Sequence, residues 1–467
     1  MNKRRVLYIL ILCLIVGSLA VAGDRSNVRG MAMGRTFNAS SRGLDALGVN
    51  PANLALADRS SISLNILSLG TRLSTELFSY DVYQEFFTGD PNDRNKPKIL
   101  TEDDKNRLLS LLPEGRGATR SDFEIFSLGF SFRHPKFGGI AFAMTDRLGA
   151  RFDLPKEYLR MFLFGFDSTG STYNFEGTAV SAWWWREYNI SYGIELPLNR
   201  PPVKNIAVGI GVKLLRGYAA VKTDHYAGII GVQRVGSNQY RGIANFDFLT
   251  SRSGIDELGS NRGKSFSVFP DPAGTGIGFD LGLSVELLSG ARIAASITDI
   301  GSLRWNKNIV ETAASYSLAF TDPFSSQTRD SLEKAFKGSN SPGESFSTRL
   351  PTAFRLGASM EVQKIPGLSA LPGTLLFAVD ATQGFTESMG GIVQPRISLG
   401  MEYRLIPLLP LRTGFSFFGG DVVRWGAGFG LDFYAFNLDL ATENLAMLFS
   451  SKKVSMFSFS LGMRIRV

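Results

Sequence analysis

The chain has 467 residues and a formal charge of +8, with 44% hydrophobic and 20% charged residues and a mean hydropathy of +0.03. That balance is too apolar for a disordered chain and too polar for a bundle of membrane helices. The positive excess is mild and spread along the chain, so it gives no ground for nucleic-acid binding.

At the N-terminus, Lys3, Arg4 and Arg5 precede an apolar run from Val6 to Leu19, and Ala20-Val21-Ala22 supplies a small-x-small cleavage pattern. A signal peptide over residues 1–22 is expected, with an uncleaved anchor as the alternative. Its removal takes the formal charge from +8 to +5. The only cysteine, Cys13, falls inside it, so the exported chain has no disulfide, thiolate metal site or cysteine nucleophile.

Residues 23–59 show no sustained alternation. In "LGVNPANLAL", Leu47 to Leu56, apolar residues dominate, yet Pro51 would break a helix interior and deny a central strand a donor. The stretch has too little apolar mass to fold alone and must be buried by something else.

From residue 60 onward, strict alternation recurs. In "GIGFDLGLSVEL", the residues Ile277, Phe279, Leu281, Leu283, Val285 and Leu287 share one face, and Gly276, Gly278, Asp280, Gly282, Ser284 and Glu286 the other. Phe126, Leu128, Phe130 and Phe132 are expected on one face of another strand. The pattern predicts strands at 60–70, 122–133, 137–148, 181–197, 204–219, 274–288, 291–301, 350–363, 373–384, 395–405, 410–420, 423–434, 435–446 and 454–467. Many exceed the length of a soluble strand, and a sheet with one apolar face must close if it is to lie in lipid. An all-β, transmembrane antiparallel β-barrel of about 14 strands follows, in the outer membrane of a Gram-negative-type bacterium.

The connections alternate in length. "HPKFGG", "NRPPVK", "LSG", "KIPGLSALPG", "IPLLP" and the Tyr434-Ala435 corner are short and expected to be periplasmic; 71–121, 149–180, 220–273 and 302–349 are long and expected outside. Short helices are expected within Thr101–Gly115 and Ser325–Ser339, either as packing at the barrel mouth or as an apolar landing site. "WWWREY", Trp183 to Tyr188, reads as an interfacial aromatic girdle. The inward positions carry Glu195, Asp280, Glu286, Glu361, Asp380, Glu402, Asp432 and Asp439 against Lys213, Arg355, Arg404, Arg412, Arg464 and Arg466, which suits a salt-bridged wall over a selective ion pore. Serine at Gly282, on that inward face, is expected to be mild.

The stretch "RGMAMGRTFNASSRGLDALGVNPANLALADRSSISLNI" resembles the N-terminal hatch and first strand of FadL-type outer-membrane transporters of long-chain fatty acids and other hydrophobic compounds, and Asn50-Pro51-Ala52 matches the hatch motif. The C-terminal half looks equally like PorV-type secretion barrels. The resemblance implies a plug of residues 23–59 inside the lumen of a 60–467 barrel and passive uptake of a hydrophobic or amphipathic, fatty-acid-like ligand. Leu44, Leu47, Val49, Leu54 and Leu56 would be its ligand-facing hatch surface. The alternatives are a turn cap for Asn-Pro-Ala, and a barrel that serves a secretion-system protein. Outer-membrane lipid is the implied surrounding partner.

No enzyme, cofactor or metal site is expected. The two histidines are His134 in a predicted turn and His225 beside Asp224, "GTGIGF" and "GAGFG" lie within strands, and no cluster has metal-ligand spacing.

Overall fold

The computed structural model describes residues 25–77, 79–89, 96, 98–112, 115–166, 171–236, 240–256, 269–321, 325–391, 393–418, 423–433, 435–449 and 455–467. The expected signal peptide, Cys13 and Tyr434 lie outside them.

Long alternating segments leave each strand with one apolar and one polar face, and the sheet they build closes on itself. Its wall consists of β1 (Ile62–Thr75), β2 (Arg116–His134), β3 (Gly138–Pro155), β4 (Ala179–Arg200), β5 (Val203–Arg234), β6 (Gly274–Leu287), β7 (Arg292–Trp305), β8 (Ala353–Glu361), β9 (Thr374–Gly384), β10 (Arg396–Arg404), β11 (Leu411–Phe418), β12 (Val423–Asp432), β13 (Phe436–Thr442) and β14 (Met456–Arg466). Each pairs antiparallel with the next in sequence, and β14 returns to β1, with Leu69 opposite Leu461. All fourteen coincide with predicted segments. This is a transmembrane antiparallel β-barrel.

The two faces follow the alternation. On β6, Ile277, Leu281 and Leu283 are exposed on the outside, whereas Asp280 and Ser284 are buried inside. An outer surface of this kind, repeated through Phe377, Val379, Leu399, Phe415 and Phe459, is stable against hydrocarbon and not against water.

Three of the long connections differ from the expected loops because the strands do not stop at the membrane. β5 runs for 32 residues. Its outer part pairs with Tyr240–Ser253, which in turn pairs with Ile309–Phe320, and Ser339–Pro342 and Thr172–Asn174 complete a sheet standing beyond the wall. Tyr173, Phe175, Ile230, Phe246 and Phe320 bury together on it, with Tyr158 and Leu332 packed against them, which gives the extension an apolar core of its own. The expected helices appear at Glu102–Ser110, under a Thr101/Asp104 capping box, and at Ser326–Lys337, capped by Ser325.

Two face assignments are corrected. Trp183 and Trp185 do not sit in a girdle: both turn inward and pack with Leu215, Leu303, Trp305 and Leu350. Phe126 leaves the face of Leu128 because the β2–β3 register slips between them, and it packs inside near Leu44 and Leu47.

Candidate functional site

Residues 25–57 lie inside the barrel, joined to β1 through residues 58–61. Having no ladder partner, this segment satisfies its backbone locally or from the wall. A one-turn helix, Val28–Ala32, starts at Asn27, whose Oδ1 accepts the Gly30 N–H at 2.9 Å. Two 3₁₀ turns follow, Gly43–Ala46 and Pro51–Ala55.

The second turn holds the Asn50-Pro51-Ala52 motif. Pro51 takes the first helical position, where its missing N–H leaves nothing unpaired, and Asn50 Oδ1 accepts the Ala52 N–H at 3.1 Å. The other end of the same amide donates to the wall carbonyls of Leu283 at 3.2 Å and Ala295 at 3.4 Å. Asn50 is therefore both the cap of the turn and its tether to β6 and β7.

This contact needs a wall without side chains. A Cβ on Gly209 would come within 2.3 Å of Pro51 and Ala52, one on Gly193 within 2.5 Å of Pro51 O, and one on Gly139 within 2.0 Å of Leu54 O. At Gly282 it would meet Asn50 Oδ1 at 2.1 Å, so the expectation of a mild serine there is overturned. Across the lumen, Gly400, Gly414 and Gly426 give the same clearance to Met31, Met33 and Gly34. The segment is wedged between two glycine seats.

Polar groups of the wall then pin it. Asp380 accepts the Phe37 and Asn38 N–H groups, each at 2.8 Å, and Asn38 donates to the Ala294 carbonyl at 3.0 Å. Ser416 and Ser460 donate to the carbonyls of Gly34 and Ser26, at 2.5 and 2.9 Å. Ion pairs add Arg25 with Glu187 at 2.6 Å, Arg29 with Glu402 at 2.8 Å, Asp45 with Arg464 at 2.6 Å, and Arg35 with Glu443. Burial alone would raise the Asp45 pKa; the Arg464 and Arg29 guanidinium groups outweigh it and hold the carboxyl below its usual value. Glu443, just beyond β13, is likewise opposed by burial but drawn down to about 2 by Arg35 and Arg72.

Beside Arg25 lies a fully buried triad in which Lys213 bridges Asp280, at 2.6 Å, and Asp299. Simple alternation along β7 would turn Asp299 outward with Ile297. A bulge opposite Asp280 instead takes Asp299 to φ +59°, and its N–H donates to Asp280 Oδ1 at 2.8 Å. Arg25 Nη2 approaches Asp299 at 3.5 Å, so the segment shares this network.

Of the residues expected to face a ligand, Leu44, Leu47 and Leu54 pack with Ala141 and Ala143 of β3, and Leu56 packs with Ala207 of β5; Val49 is buried too. All five are buried, four of them against the wall. His225 Nε2 lies 3.3 Å from Asp247, while Asp224 takes the Ser251 hydroxyl at 2.5 Å, so histidine and serine do not share one carboxylate.

Among solved structures, the chain is similar to the toluene transporter TbuX of Ralstonia pickettii (13% identity, 94% of this chain and 96% of that one, TM-score 0.45). It is also similar to a Pseudomonas aeruginosa FadL homologue (11%, 96% and 99%, 0.43) and to the Pseudomonas putida toluene transporter TodX (11%, 96% and 98%, 0.40). The likeness is distant, and the ligands in those names do not transfer with it. No curated protein matches the chain in sequence. One family model, described as a family of unknown function (DUF5723), matches residues 51–443, from Pro51 of the hatch-like motif to beyond β13, and the chain belongs to that family.

Proposed function

We propose that the protein is an outer-membrane channel for hydrophobic or amphipathic small molecules, with residues 25–57 as a hatch that must shift for passage. The observation that carries this reading is the layering of the lumen. On the long-loop side, Trp183, Trp185, Leu303 and Trp305 pack into a buried apolar cluster across the interior; beneath them sits a segment that is not part of the wall and is held by hydrogen bonds and ion pairs. An apolar cluster across the lumen favours an apolar solute that can part it, and the polar clamps beneath can be exchanged as the solute passes. The resemblance of the Asn50-Pro51-Ala52 stretch to FadL-type hatches supports the same reading.

The test is uptake of a long-chain amphiphile by vesicles carrying the purified protein. Pro51→Ala loosens the turn that Asn50 caps and should change the uptake rate several-fold while heat-modifiable migration of the barrel stays normal. Absence of uptake through the unaltered protein overturns the channel.

A second reading, a barrel that binds a secretion-system protein, is favoured by one observation: the sheet built on β5, Tyr240–Ser253 and Ile309–Phe320 projects beyond the membrane with its own core. Under that reading, removing residues 309–349 abolishes complex formation, and Pro51→Ala changes nothing.

A further inference from the structure

At the short-turn end of the lumen, between the underside of the N-terminal segment and the wall, lies a cavity of about 290 Å³. Seven arginines and five carboxylates line it, and with Asp432, which pairs with three of those arginines, the excess is one positive charge. Three of the five carboxylates, Asp45, Glu402 and Asp439, are already paired with lining arginines. Glu402 alone accepts from Arg29 at 2.8 Å, Arg404 at 3.0 Å and Arg412 at 2.6 Å, and Arg412 reaches on to Asp439 at 2.6 Å. Just outside the lining, Asp432 holds Arg404, Arg466 and Arg59 together.

A carboxylate has two oxygens to offer, whereas each guanidinium carries five N–H donors, so sharing of this kind exhausts the acceptors first. Donors are left over around the cavity. Arg42, half-buried on the segment, makes the point most directly: among the described residues its hydrogen bonds go to the main-chain carbonyls of Ala39, at 3.3 Å, and Ser41, and to no carboxylate. In a recess of this kind, a charge excess is screened less than on an open surface.

The ligand that complements forked donors and a positive excess is a tetrahedral oxyanion. We infer that this cavity binds a phosphate-type oxyanion, either free phosphate or the phosphate head group of a phospholipid. Because Arg29 and Arg42 belong to the segment while Arg404, Arg412 and Arg464 belong to the wall, the anion ties the two together. The site lies on the far side of the segment from the apolar cluster, and it stands or falls independently of what the barrel transports.

The experiment uses the full chain in detergent and measures binding of radiolabelled inorganic phosphate by equilibrium dialysis at two salt concentrations, for the unaltered protein and for Arg42→Gln. That substitution removes no carboxylate pair, and heat-modifiable migration checks that the barrel is intact. Saturable binding of about one phosphate per chain, weakened roughly tenfold by Arg42→Gln and by high salt, is the expected result. Protection of residues 25–57 from protease by phosphate, present in the unaltered protein and lost in the variant, is a second readout that does not depend on measured affinity. Displacement by a short-chain phosphatidylglycerol would identify the head group as the ligand, and failure to displace would identify free phosphate; both leave the oxyanion site standing. No saturable binding of either, or equal binding by the two proteins, overturns it, whether or not the vesicles take up an amphiphile.

Discussion

Adjacent residues on β6 separate two kinds of damage. Leu281 is exposed on the outer face, and Leu281→Arg sets a charge against hydrocarbon at a cost of roughly 2 to 4 kcal/mol near the bilayer midplane. Its expected signature is less barrel in the outer-membrane fraction. Gly282→Ala acts on the other side of the same backbone, where the new methyl would lie 2.1 Å from Asn50 Oδ1. The barrel should still assemble, but cleavage within residues 25–57 by added protease should become faster than in the unaltered protein; equal rates would show that the turn can give way without leaving its seat. Asn50→Leu tests the same tether from the segment side. Losing two wall bonds and the turn cap leaves the carbonyls of Leu283 and Ala295 without that donor, at about 1 to 3 kcal/mol, and protease exposure should again rise.

At the scale of elements, alternation placed all fourteen wall strands, because lipid outside and polar groups inside impose a period of two that survives without any partner in view. It failed where the period breaks. Asp299 and Phe126 owe their inward positions to register slips, which no run of residues announces. Glu187 has the same parity as the inward residue Glu195, but it sits inside "WWWREY", where three consecutive tryptophans read as a girdle and hide the alternation between them. The seat was legible only as a chemical capacity: Asn50 can reach its own backbone and a wall group, but which wall group depends on strands far away in sequence. The segment as an element should also respond to acid. Asp45 and Glu443 are carboxylates with depressed pKa values, so their contribution is complete above the ordinary carboxylate pKa and is lost as pH falls through the lowered one. The part of the protection of residues 25–57 that these two ion pairs supply should therefore be lost only below about pH 4, as checked by limited digestion with an acid-stable protease.

For the whole molecule, deleting residues 25–57 tests whether the wall is self-sufficient. The fourteen strands close the wall through their own ladder, and none of them pairs with residues 25–57, so the shortened chain should still give a heat-modifiable barrel. Arg25 and Arg35 would no longer meet Glu187 and Glu443, but those acids lie beside Lys213 and Arg72, and water can enter to solvate them. Conductance in planar bilayers should rise well above that of the full chain. An unchanged conductance would place the seal in the apolar cluster around Trp183 and Trp305.

The pairing of β1 with β14 also governs the order of events during biogenesis. Residues 25–57 emerge first, yet Ser460 and Arg464, which hold Ser26 and Asp45, arrive on the last strand, and Glu443 comes scarcely earlier. Contacts that span nearly the whole chain form late. Until the final hairpin zips onto β1, the earliest residues have half a cradle, and a ribosome-stalled or truncated chain lacking β14 should leave them open to periplasmic proteases. Completion of the wall and locking of its contents thus become a single step, so that an unfinished barrel should betray itself through exposure of residues 25–57.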